Sequence, residues 1–443
     1  EGKLVAYVKG APEVILDFST HILRSGKALK LSAKERKNIL ETNEKMASDA
    51  LRVLGVAYKE LPIKNPASIR DDSVEKDLVF VGLAGMIDPP RDEAKEANRK
   101  CQQAGIKTVM ITGDHKLTAV AIAKELGMLK SGMVLTGAEM DNMSEEEFEK
   151  IVEDVSVYAR VSPEHKLRIV KALKKEGNIV AMTGDGVNDA PALKQSDIGV
   201  AMGITGTDVT REAADMVLAD DNFATIVNAV EGGRSIYDNI RKFSFFLMRC
   251  NFDELGIIAL FALMGLELPL VAGMILWLNL VTDGGPALAL SMEPPEPDVM
   301  ERPPRNPNEG VLHGRFASII TTFTFQFLLT GGIFYWQYYI LKERLEYART
   351  MAFMRATLQE LFVVWNCRSE RRNAFRMSFR SNKFLLAAVS VSALLTVAIP
   401  FLGLFGTVPI YDPFDWAIVI VASLSGLLIL PEIFYGRKIW RWT

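Results

Sequence analysis

The sequence predicts a soluble α/β half followed by an all-α membrane half, on three observations. Charged, mixed composition up to about Arg241 gives way to long apolar runs separated by short polar loops. The first half alternates strand and helix patterns, which implies a doubly wound α/β domain. The second half holds six apolar stretches of about the 20 residues that a helix needs to cross a bilayer. The 443 residues leave room for several domains. A net charge of -3 gives no electrostatic ground for a nucleic-acid partner. Cys101, Cys250 and Cys367 are far apart and form no CxxC pair, so reduced, buried cysteines are expected rather than a disulfide framework or a zinc site.

Glu1 leads straight into Lys3-Leu4-Val5-Ala6-Tyr7-Val8, a strand already in progress without an opening Met, which suggests a portion of a longer chain. The α/β alternation is expected to begin with a strand at 78–87, then a helix at 93–104, a strand at 106–111 and a helix at 116–126. An acidic helix at 144–155, a strand at 157–161, a helix at 163–174 and a strand at 178–182 follow. In a doubly wound sheet the chemistry sits at the C-terminal ends of strands, and polar residues fall there. Val109-Met110-Ile111 runs into Thr112-Gly113-Asp114, and Ile179-Val180-Ala181-Met182 runs into Thr183-Gly184-Asp185-Gly186-Val187-Asn188-Asp189. Glycines allow close backbone approach to a phosphate. Thr112 can donate to a phosphoryl oxygen, and Lys166 can neutralise phosphoryl charge. Asp185 and Asp189 can hold magnesium directly or through water. TGD alone is weak as a signal, whereas TGDGVNDAPAL is long and specific.

The apolar stretches lie near 243–265, 271–290, 316–341, 347–365, 384–405 and 416–435, the fourth interrupted by Arg355, Gln359 and Glu360. Basic loops predict the orientation. Arg302, Arg305 and Arg315, then Arg368 through Lys383, then Arg437, Lys438 and Arg441 all fall on the side of the soluble half, which is therefore expected to be cytoplasmic. Polar groups inside such spans are costly and mark ion paths. The first stretch contains Asn251, Asp253 and Glu254, the second Asn279, Thr282 and Asp283, and the fourth Glu360. Gly284-Gly285-Pro286 is expected to loosen the second helix and release backbone carbonyls as further ligands. These hard oxygen donors suit calcium or another hard cation. The bland alternative, hydrogen bonds that glue helices together, leaves several carboxylates at one depth without a partner. A long helix of about 29 residues, roughly 43 Å, is expected from Phe223 to Asn251, with Gly232-Gly233 as its one weak point.

Three runs, in this order, resemble the signatures of P-type ATPases: Lys9-Gly10-Ala11-Pro12-Glu13, Asp88-Pro89-Pro90-Arg91, and Met182 through Leu193. Asn279-Leu280-Val281-Thr282-Asp283-Gly284 is similar to the calcium-pump subgroup of the endoplasmic-reticulum type. The resemblance covers nearly the whole chain. It implies part of a nucleotide-binding domain at 1–76, a haloacid-dehalogenase-like phosphorylation domain at 77–222, a stalk helix at 223–242 and a transmembrane domain at 243–443. It implies ATP, Mg2+ and transported Ca2+, and a multi-pass protein in a lipid bilayer; it names no regulatory subunit.

Carried over residue by residue, the resemblance implies that Lys9, Gly10, Arg52 and Arg160 meet ATP. Thr112, Gly113 and Asp114 would surround the phosphoryl group and nucleotide, and Lys166 would contact the transferred phosphate. Asp185 would ligate magnesium, supported by Asn188 and Asp189. In the membrane, Asn251, Glu254, Thr282, Asp283 and Glu360 would form one calcium site, and Asn279 with Asp283 part of a second.

The sequence departs from the family at His115, where Asn is usual, and at Asp253, where a small residue is usual. The family's Asp-Lys-Thr-Gly run, whose Asp accepts the phosphate, does not occur in these residues. This chain alone is therefore expected not to pump. Alternatives are a sodium or other cation pump, a membrane-tethered phosphohydrolase, or a non-catalytic membrane module that retains the fold.

Overall fold

The computed structural model describes residues 4–48, 51–61, 74–86, 90–129, 132–311, 316–369, 372 and 374–428. The expectations placed on Lys3, Asp88, Pro89, Arg315, Arg371, Arg437, Lys438 and Arg441, and on 429–435, lie outside those residues. The chain divides into two compact units, Glu1–Asn228 and Ala229–Thr443.

The first unit opens with a five-stranded sheet: β1 (Leu4–Gly10), β2 (Ser19–Arg24), β3 (Lys27–Lys30), β4 (Arg52–Leu61) and β5 (Leu78–Met86), in the order β1-β4-β5-β2-β3. Ser25 and Gly26 both adopt positive φ, 47° and 76°, so β2 and β3 close through a turn whose twist matches the strands. The residues expected to start the α/β alternation, near 78–87, instead join this sheet. β5 pairs antiparallel with β4 and parallel with β2. An apolar run fits a central strand of either sheet. What decides its partner is the core it completes: Leu78 and Phe80 are buried with Ile15, Leu16, Ile22 and Ala57.

Two parallel three-stranded sheets follow. β6 (Met110–Ile111), β7 (Met133–Thr136) and β8 (Val155–Ala159) lie in the order β6-β8-β7. β9 (Ala181–Gly184), β10 (Ile198–Met202) and β11 (Met216–Leu218) lie in the order β11-β10-β9. The sequence pattern placed the last predicted strand at 178–182. The ladder starts at Ala181 and carries Thr183 and Gly184, paired with Val200 and Ala201. Helices Lys116–Glu125 and Pro163–Lys175 come between these strands. Thr136, Ser144 and Ser162 cap helices reciprocally with the residue three places on, which satisfies backbone donors at each start.

The second unit is helical. Phe223–Leu263 is one continuous helix of 41 residues that passes through Gly232 and Gly233. Among the described residues, three helices are long and apolar enough to cross a membrane: Ala272–Leu290, Ile319–Ile340 and Lys383–Leu402. The fourth stretch is helical over Leu345–Asn366 but carries Arg349, Arg355 and Glu360, and the sixth is described as the shorter apolar helix Pro413–Leu427. Helices approach closely where a side chain is missing. A Cβ on Gly256 would stand 2.1 Å from the Phe323 ring, and one on Gly331 2.8 Å from Phe261.

Candidate functional site

In the first unit, the residues singled out at strand ends fall on two loops. Thr112 follows β6, and its backbone N–H donates to Tyr158 O on β8 (2.9 Å), while its carbonyl accepts from Val161 N (3.3 Å). Its Oγ1 donates to Asp114 Oδ2 (3.0 Å) and accepts from Asp114 N (3.1 Å), a closed local turn. Gly113 and Asp114 are exposed. Arg160, at positive φ (51°), donates its backbone N–H to Asp114 O (3.1 Å), which ties the two loops together. His115 caps helix Lys116–Glu125, with its Nδ1 accepting from Leu117 N (3.3 Å). The ring thus takes the usual capping role of Asn at that position.

After β9, Asp185 is exposed and its carbonyl accepts from Thr207 N (3.0 Å). Asn188 is also exposed. Asp189 turns inward and is 5% exposed. Its Oδ1 meets Lys166 Nζ at 2.5 Å, and its Oδ2 accepts from Gly186 N at 3.3 Å. The sequence places Lys166 and Asp189 near phosphate and magnesium separately. The structure joins them as a partly buried ion pair, which leaves Asp185 as the carboxylate open to a metal. Hard carboxylate and amide oxygens on an exposed turn suit magnesium. Lys9 and Gly10 sit at the end of β1, opposite Val56 and Gly55 on β4, and Arg52 opens β4 opposite Met86. The added Cβ at Gly10 would touch Ile15, and at Gly55 Pro12, so these small residues seat helix Pro12–Asp17 against the sheet.

In the second unit, carboxylates from three helices come together. Asp283 is fully buried, Glu360 is 2% exposed and Glu254 is 5% exposed. Both carboxylate oxygens of Asp283 and of Glu360, Glu254 Oε1 and Thr282 Oγ1 have no hydrogen-bond partner. Glu254 Oε2 accepts from Asn279 Nδ2 (2.7 Å), which also donates to Ile275 O (3.1 Å). Cys250 Sγ, an Asp283 oxygen and a Glu360 oxygen all lie within 4.8 Å of one another. Buried polar atoms are normally paired, so a cluster of orphaned acceptors points to a ligand.

The second helix is loosened where the sequence predicts. Leu278–Asp283 winds as a π-helix before Gly284–Leu290. Pro286 has no N–H to offer Val281 O five residues back, and Ser392 Oγ donates to that carbonyl instead (2.8 Å). Asn251 is set apart from the cluster. It is exposed, and its amide donates to Leu247 O on its own helix (2.8 Å).

Sequence reasoning gave no role to Cys250, left Asp253 open and used Arg355 only as a break in a span. Asp253 is buried, in the field of Arg249 and Arg355. Arg355 is fully buried and donates to Gln326 and Thr330 on one helix and to Ser425 on another. Cys250 lies four residues before Glu254, so the helical spacing already put both on one face.

Two family models match the chain: "P-type ATPase, cytoplasmic domain N" over residues 1–93 and "Cation transporting ATPase, C-terminus" over residues 267–434. The chain belongs to the P-type cation-transporting ATPases. Within that class, the chain is 48% identical over 436 residues to a calcium-transporting ATPase of Bacillus subtilis, covering 97% of this chain and 48% of that protein. It is 39% identical over 455 residues to calcium-transporting ATPase 1 of Saccharomyces cerevisiae, covering 99% and 47%. It is 43% identical over 334 residues to an endoplasmic reticulum-type calcium-transporting ATPase of Arabidopsis thaliana, covering 70% and 31%. The chain spans about half the length of the bacterial and yeast relatives it matches.

Proposed function

We propose that this chain forms the energy-handling and ion-binding part of an ATP-driven pump that moves calcium across a membrane through an aspartyl-phosphate intermediate. The observation that carries the reading is the buried set of Asp283, Glu360 and Glu254, drawn from three helices, in which both oxygens of Asp283 and of Glu360 and one of Glu254 lack a hydrogen-bond partner. Carboxylates buried together repel one another and are desolvated, so such a set calls for cations or protons. Oxygen donors without histidine favour calcium among the common cations. The names of the relatives agree with that choice.

On this reading Glu254, Asn279, Thr282, Asp283 and Glu360 bind the transported ion, with Asn251 the member of the expected set that stands apart from the cluster in this structure. Residues 243–443 form six spans in a lipid bilayer, with the basic loops on the cytoplasmic side. Residues from about 90 to 222 form a haloacid-dehalogenase-like phosphorylation domain, with the sheet of β1 to β5 contributing to nucleotide binding and 223–242 serving as a stalk. Thr112, Gly113 and Asp114 surround the phosphoryl group and nucleotide, Lys166 contacts the transferred phosphate, and Asp185 holds Mg2+ beside Asn188 and Asp189. Lys9, Gly10, Arg52 and Arg160 meet ATP. Magnesium would supply charge neutralisation at the transferred phosphate.

The test is cation-by-cation phosphorylation of the whole protein of which this chain is part, with ion uptake into sealed vesicles. Calcium is expected to support both, and Asp283→Asn to lose both. Equal phosphorylation in sodium alone would overturn the choice of ion.

A further inference from the structure

We propose that Cys250 is a side-chain donor to the membrane cation cluster, so that this site takes a thiophilic divalent cation of calcium's size, such as Cd2+, as well as a hard one. The inference rests on the reading of Asp283 and Glu360 as cation ligands and deepens it. Three observations carry it. Cys250 Sγ and one oxygen each from Asp283 and Glu360 lie within 4.8 Å of one another, a spacing that an ion with bonds of about 2.3 to 2.6 Å bridges without moving a helix. All three side chains are buried: Cys250 is 1% exposed, Asp283 0% and Glu360 2%. All four oxygens of the two carboxylates lack hydrogen-bond partners.

A thiol in an apolar core is ordinarily a small hydrophobe. Here the Cys250 side chain faces charge rather than hydrocarbon alone. Two carboxylates and one sulfur form a mixed hard and soft donor set. Calcium is held by the oxygens and gains little from sulfur, whereas cadmium gains a strong sulfur bond. On binding, a sulfur lone pair forms the S–Cd bond and the thiol proton leaves to solvent; nothing is oxidised or reduced. The sequence has three cysteines, so the sulfur that binds can be identified directly.

The experiment uses the full chain purified in detergent, in three forms: unchanged, Cys250→Ser, and Cys101→Ser with Cys367→Ser, in which Cys250 is the one thiol left. Each is titrated with Cd2+ alone, with Ca2+ alone, and with Cd2+ in the presence of Ca2+, reading the thiolate-to-cadmium charge-transfer absorption and equilibrium binding. The unchanged chain and the double variant are expected to show the absorption, and Ca2+ to suppress it. Cys250→Ser is expected to lose it and to bind Cd2+ at least about tenfold more weakly, the scale seen when even an outer partner of a metal site is lost. Its Ca2+ affinity is expected to fall by a smaller factor than its Cd2+ affinity, because serine keeps an oxygen donor at that position. Absorption that persists in Cys250→Ser, or is missing from the double variant, overturns the proposal. Saturable Ca2+ binding with no cadmium absorption sinks the cysteine inference and leaves the cation site standing. Failure of the unchanged chain to bind either ion sinks both.

Discussion

Lys166 Nζ lies 2.5 Å from Asp189 Oδ1, with the two side chains 21% and 7% exposed. The pair fastens the start of helix Pro163–Lys175 to the turn after β9. Lys166→Met leaves a buried carboxylate with one backbone donor, from Gly186. The expected loss is about 2 kcal/mol in chemical denaturation, because an orphaned buried charge costs more than the pair contributes. Adding Asp189→Asn should restore part of it. A single variant within about 0.5 kcal/mol of the parent would show that the pair is solvated and structurally idle.

Two glycines in the candidate phosphate loops make opposite predictions. A Cβ on Gly184 would lie 2.4 Å from Asp189 Cβ, whereas one on Gly113 would meet nothing within 4 Å. Gly184→Ala is therefore expected to destabilise the first unit by about 1 to 3 kcal/mol through overpacking. Gly113→Ala is expected to fold normally. If Gly113 borders the phosphoryl group, the alanine variant should still weaken protection by vanadate or phosphate against thermal unfolding. Thermal melts with and without the oxyanion separate the two effects.

Much of this was legible in the sequence because it is local. Thr112-Gly113-Asp114 and the run from Thr183 to Asp189 announce strand ends: the first follows a parallel strand, and the second begins in the last two residues of one. The loosened turn before Pro286 was equally readable, since a missing N–H acts within one helix. What the sequence did not reveal depends on partners far along the chain. Leu78–Met86 reads as a strand, but its sheet is chosen by β2 and β4. β10 and β11 were missed because Ile198–Met202 and Met216–Leu218 are too short for a clear period. Cys250 reads as ordinary core until Asp283 and Glu360 arrive from other helices.

Neutralising one buried carboxylate should act oppositely on stability and binding. Asp283 and Glu360 have no hydrogen-bond partner and share one cluster. Asp283→Asn or Glu360→Gln removes, at nearly constant shape, a carboxyl group whose ionised form is desolvated and repelled by its neighbour. The cation-free protein is expected to melt at a higher temperature. The same variants should lose the stabilisation that calcium gives the parent, about 2.7 kcal/mol when calcium is 100-fold above its dissociation constant. A variant that is still stabilised by calcium to the parental extent would remove that residue from the ligand set.

Asp221 predicts a pH effect in the first unit. Its carboxylate accepts from Ile204 N (3.0 Å), Thr205 N (2.7 Å) and Thr205 Oγ1 (2.8 Å). These bonds, the Ile204 amide foremost, pull its pKa from the ordinary 3.8 down to about 2. A depressed folded-state pKa means that the unfolded chain binds more protons in that interval, so stability rises with pH through it. The contribution is complete above about pH 4 and fades as pH falls toward 2. Asp221→Asn should flatten this part of the acid-unfolding profile and leave the rest unchanged. An identical profile in the variant would show that the bonds do not discriminate between the protonated and ionised forms.

The helix Phe223–Leu263 runs through Gly232 and Gly233 without a break, and an added Cβ at either glycine would meet nothing within 4 Å. Neither glycine is kept by crowding, so each costs helix stability without a packing reason. Replacing either by alanine is expected to stabilise the helix by about 0.8 to 1 kcal/mol. Gly232→Pro is expected to cost about 3 kcal/mol or more, because proline removes a ladder bond and clashes with the preceding turn. Transport assays on the whole protein give these variants a second meaning. If the helix works as a continuous rod, alanine at both positions leaves ion-dependent turnover intact and proline abolishes it. If the glycines provide a hinge, the stabilising alanines slow turnover while the melt shifts upward. Helix content by circular dichroism, measured beside turnover, tells the two apart.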